Sequence, residues 1–341
     1  MSNVTDFTTH AEGRLDRAVV EQIPALSRAQ ARRLIEAGSV SVEGAPVLKP
    51  GVSIAEGTRI RVEEPTLGPD ELAAAEIPLE VLYEDEETLV LNKQAGLVVH
   101  PREGVREATL INAVRAHYPE VADIDDTERG GIVHRLDRDT SGVIALAKTE
   151  ESQSVLKDQW RNRETEKYYL AIVEGHPDPA EGIIEAPLGP DPADPRRRAV
   201  VEDGQYARSQ YQVLEQYGDE AALCEVRIFT GRTHQIRVHM LAVGHPILGD
   251  FQYGRDSARI GRQALHAWRL GFMLVSTGQF RVFRAPVPDD LCAAIRSLRA
   301  DHGVAPAIDL RAARRREHLE DPGEPGTPGN HGTPEHGASP V

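Results

Sequence analysis

The chain has 341 residues, of which 40% are hydrophobic, and it carries a formal charge of −15. This length can hold one large core and a small satellite domain, and the acidity argues against non-specific binding of nucleic acid through a broad basic surface. No run approaches the 18 apolar residues of a membrane-spanning helix, and the first residues lack the basic and apolar regions of a signal peptide. We therefore expect a cytoplasmic protein with no membrane partner.

The first part of the chain with recognisable helix and strand patterns is residues 14–63. Ser27 and Gln30 have the spacing of a helix capping box, and an apolar stripe follows, ending at Gly38 as a helix stop. Arg28 and Arg32 lie four residues apart on another face of this helix. Strand patterns at 40–44 and 57–62 complete a small α/β unit. Taken alone, the two arginines could equally contact RNA phosphates or be solvated.

An acidic, proline-containing segment at residues 64–77 predicts a linker to a second domain at 78–303. Residues 64–87 contain nine acidic and no basic side chains. Much of the chain's negative charge therefore lies in one stretch rather than being spread over the whole surface.

The run from Gly131 to Gly142 has apolar segments on both sides of a charged loop, which predicts strand, loop and strand. The loop presents Asp137 between Arg135 and Arg138. A carboxylate beside arginines stays ionised even when it is partly buried, and that is the state a nucleophile or general base needs. From this run alone, a surface turn rich in ion pairs is an equally good interpretation.

Three further runs carry unusual patterns. Residues 89–101 form an apolar strand pattern that ends in a turn, and residues 167–175 form another that starts with the pair Tyr168-Tyr169. Residues 230–240 gather two arginines and two histidines after the alternating strand pattern at 223–229.

These runs, in this order, resemble the RluA-type family of pseudouridine synthases over roughly residues 78–300. The family pattern His-Arg-Leu-Asp-x-x-Thr-Ser-Gly is matched in full at 134–142, and Gly-Arg-Thr-His-Gln-Ile-Arg in full at 231–237. Further matches are Lys167 and Tyr169 for Lys-x-Tyr, Leu265-His266-Ala267, Gly249-Asp250 and Tyr253-Gly254. One departure is Gln94, where the family often has proline. Residues 14–63 resemble an S4 RNA-binding domain, and beside an RNA enzyme this favours RNA contact by its arginines.

The resemblance implies the chemistry. A pseudouridine synthase breaks the N1–C1′ bond of a uridine in RNA, turns the uracil and rejoins it through C5, with no cofactor and no metal. Asp137 is implied to be the catalytic aspartate, whether it attacks C1′, attacks C6 or removes a sugar proton. Arg237 is implied to pair with Asp137 and keep it ionised. Tyr169 is implied to stack on the target base, and its hydroxyl could take part in proton transfer.

The resemblance also implies how the RNA is held. Extracting a base from its stack costs about a few kcal/mol, and the guanidinium of Arg135 is expected to fill the vacated position. Arg138 and Arg232 are expected to bind RNA together with Arg28 and Arg32, although Arg232 could equally brace its own loop. The loop with Arg196-Arg197-Arg198 could touch phosphate or be solvated.

Other chemical groups receive structural interpretations. His134 is expected to orient its loop, Asp139 to be solvated or to cap a turn, and Tyr168 to pack into the core on the face opposite Tyr169. His234 and His239 are five residues apart, which does not suit a helical metal pair, so a metal-dependent hydrolase is the weakest alternative. Cys224 and Cys292 fit neither a zinc site nor a disulfide framework and are expected to be buried thiols.

The element order predicts an α+β fold: a large mixed, mainly antiparallel sheet with a central cleft, as in the family, after a small S4-like α/β domain. Helices are predicted at 109–117, 151–161 and 289–301. Residues 304–341 are predicted to be a tail, with a short basic helix at 309–319 and disorder beyond about 320.

The leading functional hypothesis is a pseudouridine synthase of ribosomal RNA, most similar to the RluD-like large-subunit enzymes, with 23S rRNA or a ribosomal precursor as its partner. The chain is expected to act as a monomer. Two alternatives remain: a tRNA pseudouridine synthase, and a non-catalytic RNA-binding protein of ribosome assembly.

Overall fold

The structure is a computed structural model that describes residues 3–23, 26, 28–64, 77–100, 108–119, 121, 124 and 130–309. Ser27 of the predicted capping box, residues 65–76 of the predicted linker and residues 310–341 of the predicted tail lie outside the described residues.

The N-terminal unit is a small α/β domain with its own core. Its elements are β1 Asn3–Thr8, β2 Gly13–Arg14, α1 Leu15–Gln22, α2 Arg28–Glu36, β3 Val40–Val42, β4 Ala45–Pro46, β5 Ser53–Ile54 and β6 Arg59–Glu64. One sheet has the order β1-β6-β3-β4, and β2 pairs with β5. Ala31 and Ile35 of α2 are buried against Leu15 and Val19 of α1 in one cluster. The predicted apolar stripe is therefore confirmed, because it forms the face that α2 turns to the core.

The larger unit has a sheet of nine strands within the described residues. Its elements are β7 Glu80–Glu84, β8 Thr88–Lys93, α3 Leu110–His117, β9 Ser141–Ala147, α4 Glu150–Asn162, β10 Glu166–Glu174, β11 Glu181–Glu185, β12 Leu188–Pro190, β13 Arg198–Val200, β14 Arg208–Tyr217, β15 Ala221–Ile228, α5 Gln235–Ala242, β16 Leu265–Met273, β17 Phe280–Arg284 and α6 Asp289–His302. The sheet order is β11-β14-β15-β10-β16-β9-β8-β7, with β17 also on β16, while β12 and β13 form a separate hairpin. The α+β prediction is confirmed.

Local sequence explains where the helices begin. Thr109 and Thr149 both close capping boxes, in which the threonine oxygen accepts a backbone N–H three residues on and the side chain of that residue accepts the N–H of the threonine. The three predicted helices are confirmed as α3, α4 and α6. No helix in the described part of the chain is both long and apolar enough to cross a membrane.

The sheet is antiparallel apart from the pairing of β9 with β16, where His266 lies opposite Ser141 and Ala267 opposite Gly142. Gly142 has φ +121°, and a Cβ there would overlap the backbone of Ala267, so only glycine allows the two strands to approach here. This junction holds the loop 134–140 at the centre of the sheet.

Two local predictions are wrong. Residues 131–133 do not form a strand, because Ile132 makes only an isolated bridge to Leu146. Tyr168 is half-buried rather than in the core. The guanidinium groups of Arg269 and Arg227 lie 3.9 and 5.4 Å from its ring centroid, so arginines rather than apolar side chains cover this face. Cys224 and Cys292 are buried, as predicted.

Candidate active site

A cavity of about 550 Å³ opens between the loop 134–140, strand β10 and the segment 228–237. Asp137, Tyr169 and Arg237, which are far apart in sequence, all line it, as do Arg135 and Arg232. Arg138 is exposed and is not among the lining residues. Arg32 is half-buried on α2, and the side chain of Arg28 lies outside the described residues. The structure therefore brings five of the predicted site residues to one cavity.

Asp137 and Arg237 form an ion pair across this cavity. Arg237 Nη1 donates a hydrogen bond of 3.2 Å to Asp137 Oδ2. The carboxylate side chain is 25% exposed, whereas that of Arg237 is 5% exposed. The pairing that the family resemblance implied is therefore present.

A second carboxylate, Asp250, holds the other side of the Arg237 guanidinium. Arg237 Nε donates to Asp250 Oδ2 at 2.6 Å, and Nη2 donates to Oδ1 at 2.8 Å. Burial alone would lower the pKa of Arg237, but the hydrogen bonds and charges of Asp250 and Asp137 raise it. The motif Gly249-Asp250 was visible in the sequence, but it gave no sign that Asp250 would orient this arginine.

His234 and Tyr253 extend the site. His234 has a left-handed backbone conformation, φ +57°, at the start of α5. Its Nε2 lies 4.0 Å from Asp137 Oδ1, and its Nδ1 is hydrogen-bonded to Tyr253 Oη at 2.8 Å. Tyr253 Oη also accepts the backbone N–H of Arg198 at 2.7 Å. Sequence reasoning considered His234 only as a metal ligand and so missed its place beside the aspartate.

Tyr169 lies on β10, and only 8% of it is exposed. Burial, and secondly the charge of Asp137, raise the pKa of its phenol well above the ordinary value. The hydroxyl therefore stays protonated at neutral pH.

The loop that carries Asp137 is fixed by buried cations that bind its carbonyl groups. Lys93 Nζ donates to the carbonyl oxygens of Gln94, Leu97 and Arg138 at 2.8–2.9 Å. Burial lowers the pKa of Lys93 to about 7, and the charges of Asp139 and Asp137 oppose that shift. Arg262 donates to the carbonyl of Asp139 at 2.9 Å. Sequence gave no signal for these bonds, because their acceptors are backbone atoms.

His134 has the geometry of a residue that orients the loop. Its Nε2 accepts the N–H of Ala145 at 2.9 Å, and its ring stacks on Trp160 with centroids 4.8 Å apart. Burial, with a smaller contribution from Lys167, lowers the pKa of His134 to about 3, so the ring is neutral. His239 is buried and bonded to Ser209 and Ala186. Among the described residues, no three His, Cys, Asp or Glu side chains could together hold a metal ion.

The predicted RNA-binding arginines have different surroundings. Arg135 is exposed and contacts Thr233. Arg232 Nε donates to the carbonyl of Tyr206 at 3.0 Å, which braces its loop. In the triple-arginine loop, Arg196 pairs with Asp194 while the guanidinium of Arg197 lies 4.9 Å from the ring centroid of Tyr253. One of these three arginines is thus anchored beside the cavity rather than solvated.

Comparison with known proteins gives the family. The model described as RNA pseudouridylate synthase matches residues 87–242, and that of the S4 domain matches residues 13–60. A ribosomal large subunit pseudouridine synthase D from Nitrosomonas europaea is 40% identical over 296 residues, 84% of each chain. An RNA pseudouridine synthase from Chloroflexus aurantiacus is 45% identical over 292 residues, 85% of this chain and 91% of the relative.

Solved structures agree on the fold. The human RNA pseudouridylate synthase domain containing 1 superposes with a TM-score of 0.51 at 25% identity, covering 65% of this chain and 95% of the other. The human RNA pseudouridylate synthase domain containing 4 gives a TM-score of 0.52 at 24% identity, covering 64% of this chain and 93% of the other. Given these similarities and the matched loop around Asp137, the chain belongs to the RNA pseudouridylate synthase family and joins its catalytic domain to an S4 domain.

Proposed function

We propose that this RNA pseudouridine synthase acts on ribosomal RNA and converts specific uridines of 23S rRNA to pseudouridine. The names of the relatives from Nitrosomonas europaea and Zymomonas mobilis support the large ribosomal subunit as the source of substrate. The observation that carries the proposal is the ion pair of 3.2 Å between Asp137 and Arg237 in a cavity that Tyr169 also lines.

Asp137 is proposed to be the catalytic carboxylate. Arg237 Nη1 donates a charge-assisted hydrogen bond to Oδ2, which fixes the carboxylate and leaves Oδ1 available to the nucleoside. Attack on C1′, attack on C6 and removal of a sugar proton all require an ionised oxygen held against one nucleoside. The cavity, at about 550 Å³, has the volume of a typical small-ligand site and can hold a uracil while it turns.

Tyr169 is proposed to stack on the uracil. Because its phenol is protonated, the hydroxyl can donate a hydrogen bond to the base but cannot act as a phenolate base at neutral pH. In proton transfer, the Tyr169 hydroxyl can therefore only donate a proton or relay one.

The remaining proposals concern RNA binding and organisation. Arg135 is exposed at the cavity and is proposed to stack where the uridine leaves the RNA. The RNA backbone is proposed to contact four further arginines, Arg138, Arg232, Arg28 and Arg32. The S4-like domain at 14–63 and the catalytic domain at 78–303 are proposed to act as separate units. The protein is proposed to be a cytoplasmic monomer. Deleting residues 1–64 should then leave a folded catalytic domain that binds RNA more weakly and selects uridines less strictly.

The substrate proposal is tested by mapping pseudouridines in all RNA from cells with and without the protein. Pseudouridines are expected to be lost only from 23S rRNA. If they are lost only from tRNA instead, the substrate is tRNA. Unchanged pseudouridines in every RNA would favour the non-catalytic assembly protein.

The assignment of Asp137 is tested by expressing variants of the protein in the cells that lack it. Asp137→Asn keeps the shape of the side chain but removes its charge, so the sites should stay unmodified. Asp139→Asn should restore them, and the reverse result would move the catalytic role to Asp139.

A further inference from the structure

Lys167 is a buried cation in the cavity wall that the proposed chemistry does not use. It lines the cavity with Asp137 and Tyr169, and it is 7% exposed. Its Nζ donates one hydrogen bond, of 2.9 Å, to Thr165 Oγ1. Within the described residues, the other two N–H groups have no acceptor and no carboxylate lies within ion-pair distance.

Positively charged neighbours increase the free-energy cost of burying the Lys167 ammonium. Burial, followed by the charges of Arg163 and Arg227, lowers the pKa of Lys167 to about 8. Lys157 lines the same cavity. A buried ammonium without an anion destabilises a protein, so Lys167 is unfavourable in the free protein, and an anion bound during function would offset that cost. The other buried lysine, Lys93, shows the contrast, because three carbonyl groups satisfy its three N–H groups.

The position of Lys167 indicates which anion it binds. It stands two residues before Tyr169 on β10, so both side chains project from the same face of the strand, roughly 7 Å apart. A uridine stacked on Tyr169 carries phosphates on both sides of its ribose, and phosphate is the anion that RNA would bring into this cavity.

We propose that Lys167 binds a backbone phosphate next to the target uridine and thereby positions the nucleoside between Asp137 and Tyr169. This inference rests on the proposed function, since it requires an RNA in the cavity. Lysine contacts phosphate as a point charge with three rotatable donors, which suits a nucleotide that must enter the cavity and leave it.

The test compares Lys167→Met with Lys167→Arg and with the control Lys148→Met. Lys148 is also a poorly exposed lysine, but it pairs with Glu84 at 2.8 Å and does not line the cavity. The dissociation constant of a 23S rRNA stem-loop that contains a mapped target uridine is measured from 50 to 200 mM KCl, with each protein in an Asp137→Asn background to prevent turnover. Losing one phosphate contact should reduce the slope of log K against log[KCl] by about 0.7–0.9.

Lys167→Met should show this smaller slope, while Lys167→Arg and Lys148→Met should keep the parental one. Weaker binding with an unchanged slope would overturn the proposal, because it would indicate a contact with a neutral base oxygen or a packing role. If the parental protein itself does not bind the stem-loop, it is the proposed function that fails.

Thermal unfolding without RNA supplies a second measurement. Removing an unpaired buried charge should leave the midpoint of Lys167→Met at or above the parental value. A lower midpoint would show that the lysine supports the fold, and it would count against the proposal. Lys167→Gln repeats both measurements with a polar side chain of similar length, should the methionine variant not fold.

Discussion

Asp250 binds two of the three nitrogen atoms of the Arg237 guanidinium, at 2.6 and 2.8 Å, so only Nη1 faces Asp137. Asp250 is wholly buried, and it also accepts the backbone N–H groups of Gln252 and Tyr253. The arginine that binds Asp137 is therefore oriented by a second carboxylate, which does not line the cavity.

Replacing Asp250 with asparagine should slow turnover by on the order of 10²-fold, because an amide cannot accept both guanidinium bonds and Arg237 would shift relative to Asp137. RNA affinity should change little, since Asp250 does not line the cavity. Single-turnover rates and dissociation constants on the same stem-loop would separate these two effects. In an Arg237→Lys background, the further loss caused by Asp250→Asn should be much smaller than in the parental enzyme.

The chain contains a matched control for that substitution. Glu215 accepts two bonds from Arg299, of 2.7 and 2.6 Å, and is also buried. Glu215→Gln should lower the stability of the domain but leave the single-turnover rate of the folded enzyme unchanged. Equal rate losses in both variants would mean that Asp250 acts only through general stability.

Arg135→Ala should slow turnover mainly on structured RNA. Extraction of a paired and stacked base costs about a few kcal/mol, and that cost is small in an unstructured strand. Single-turnover rates on a stem-loop and on a single-stranded oligonucleotide of the same sequence would check this. An equal defect on both substrates would remove Arg135 from base extraction.

Lys93→Met should destabilise the catalytic domain by about 2–4 kcal/mol, because three carbonyl groups would lose their charged donor. Urea unfolding can be followed by tryptophan fluorescence, since both tryptophans, Trp160 and Trp268, lie in this domain. Lys148→Met removes an ion pair whose carboxylate partner, Glu84, is exposed to solvent, and it should cost less than about 1 kcal/mol. Similar losses in the two variants would contradict the role of Lys93 as a cross-link of the loop.

His134 should make the domain sensitive to acid. Its pKa in the folded state, about 3, lies below the ordinary histidine value of 6.5, so the unfolded chain takes up the proton first as the pH falls. The stability that His134 contributes is complete above pH 6.5 and is lost progressively towards pH 3. Between pH 6.5 and 5 the loss should reach roughly 2 kcal/mol.

His134→Gln keeps an acceptor for the N–H of Ala145 but cannot titrate. Its urea unfolding free energy should therefore fall less than that of the parental protein over this pH range. Parallel pH profiles for the two proteins would show that His134 does not remain neutral in the folded state.

The parts of the fold that sequence predicted are those whose cause is local. The starts of α3 and α4 follow from a threonine and the residue three positions on, and the loop of Asp137 follows from a matched run of nine residues. The orientation of Arg237 by Asp250 and the binding of the Arg138 carbonyl by Lys93 depend on partners that only the fold brings together. A backbone acceptor, moreover, leaves no pattern in the sequence.

The wrong prediction for Tyr168 has a similar origin. The alternation of a strand correctly placed Tyr168 and Tyr169 on opposite faces, but alternation does not reveal what covers each face. Here the arginines at 227 and 269 cover one of them.

The parallel junction of β9 with β16 also affects when the site can form during synthesis. Ser141 is hydrogen-bonded to His266, which lies 125 residues further along the chain, and Arg237 reaches back 100 residues to Asp137. Contacts with such long sequence separation form late, because the entropy of closing the intervening loop must be lost first. A nascent chain that has not yet emerged past residue 267 contains the aspartate but not the cavity that would give it a substrate. Asp137 and Arg237 therefore meet in a complete cavity only late in synthesis, after the strand that carries His266 has been made.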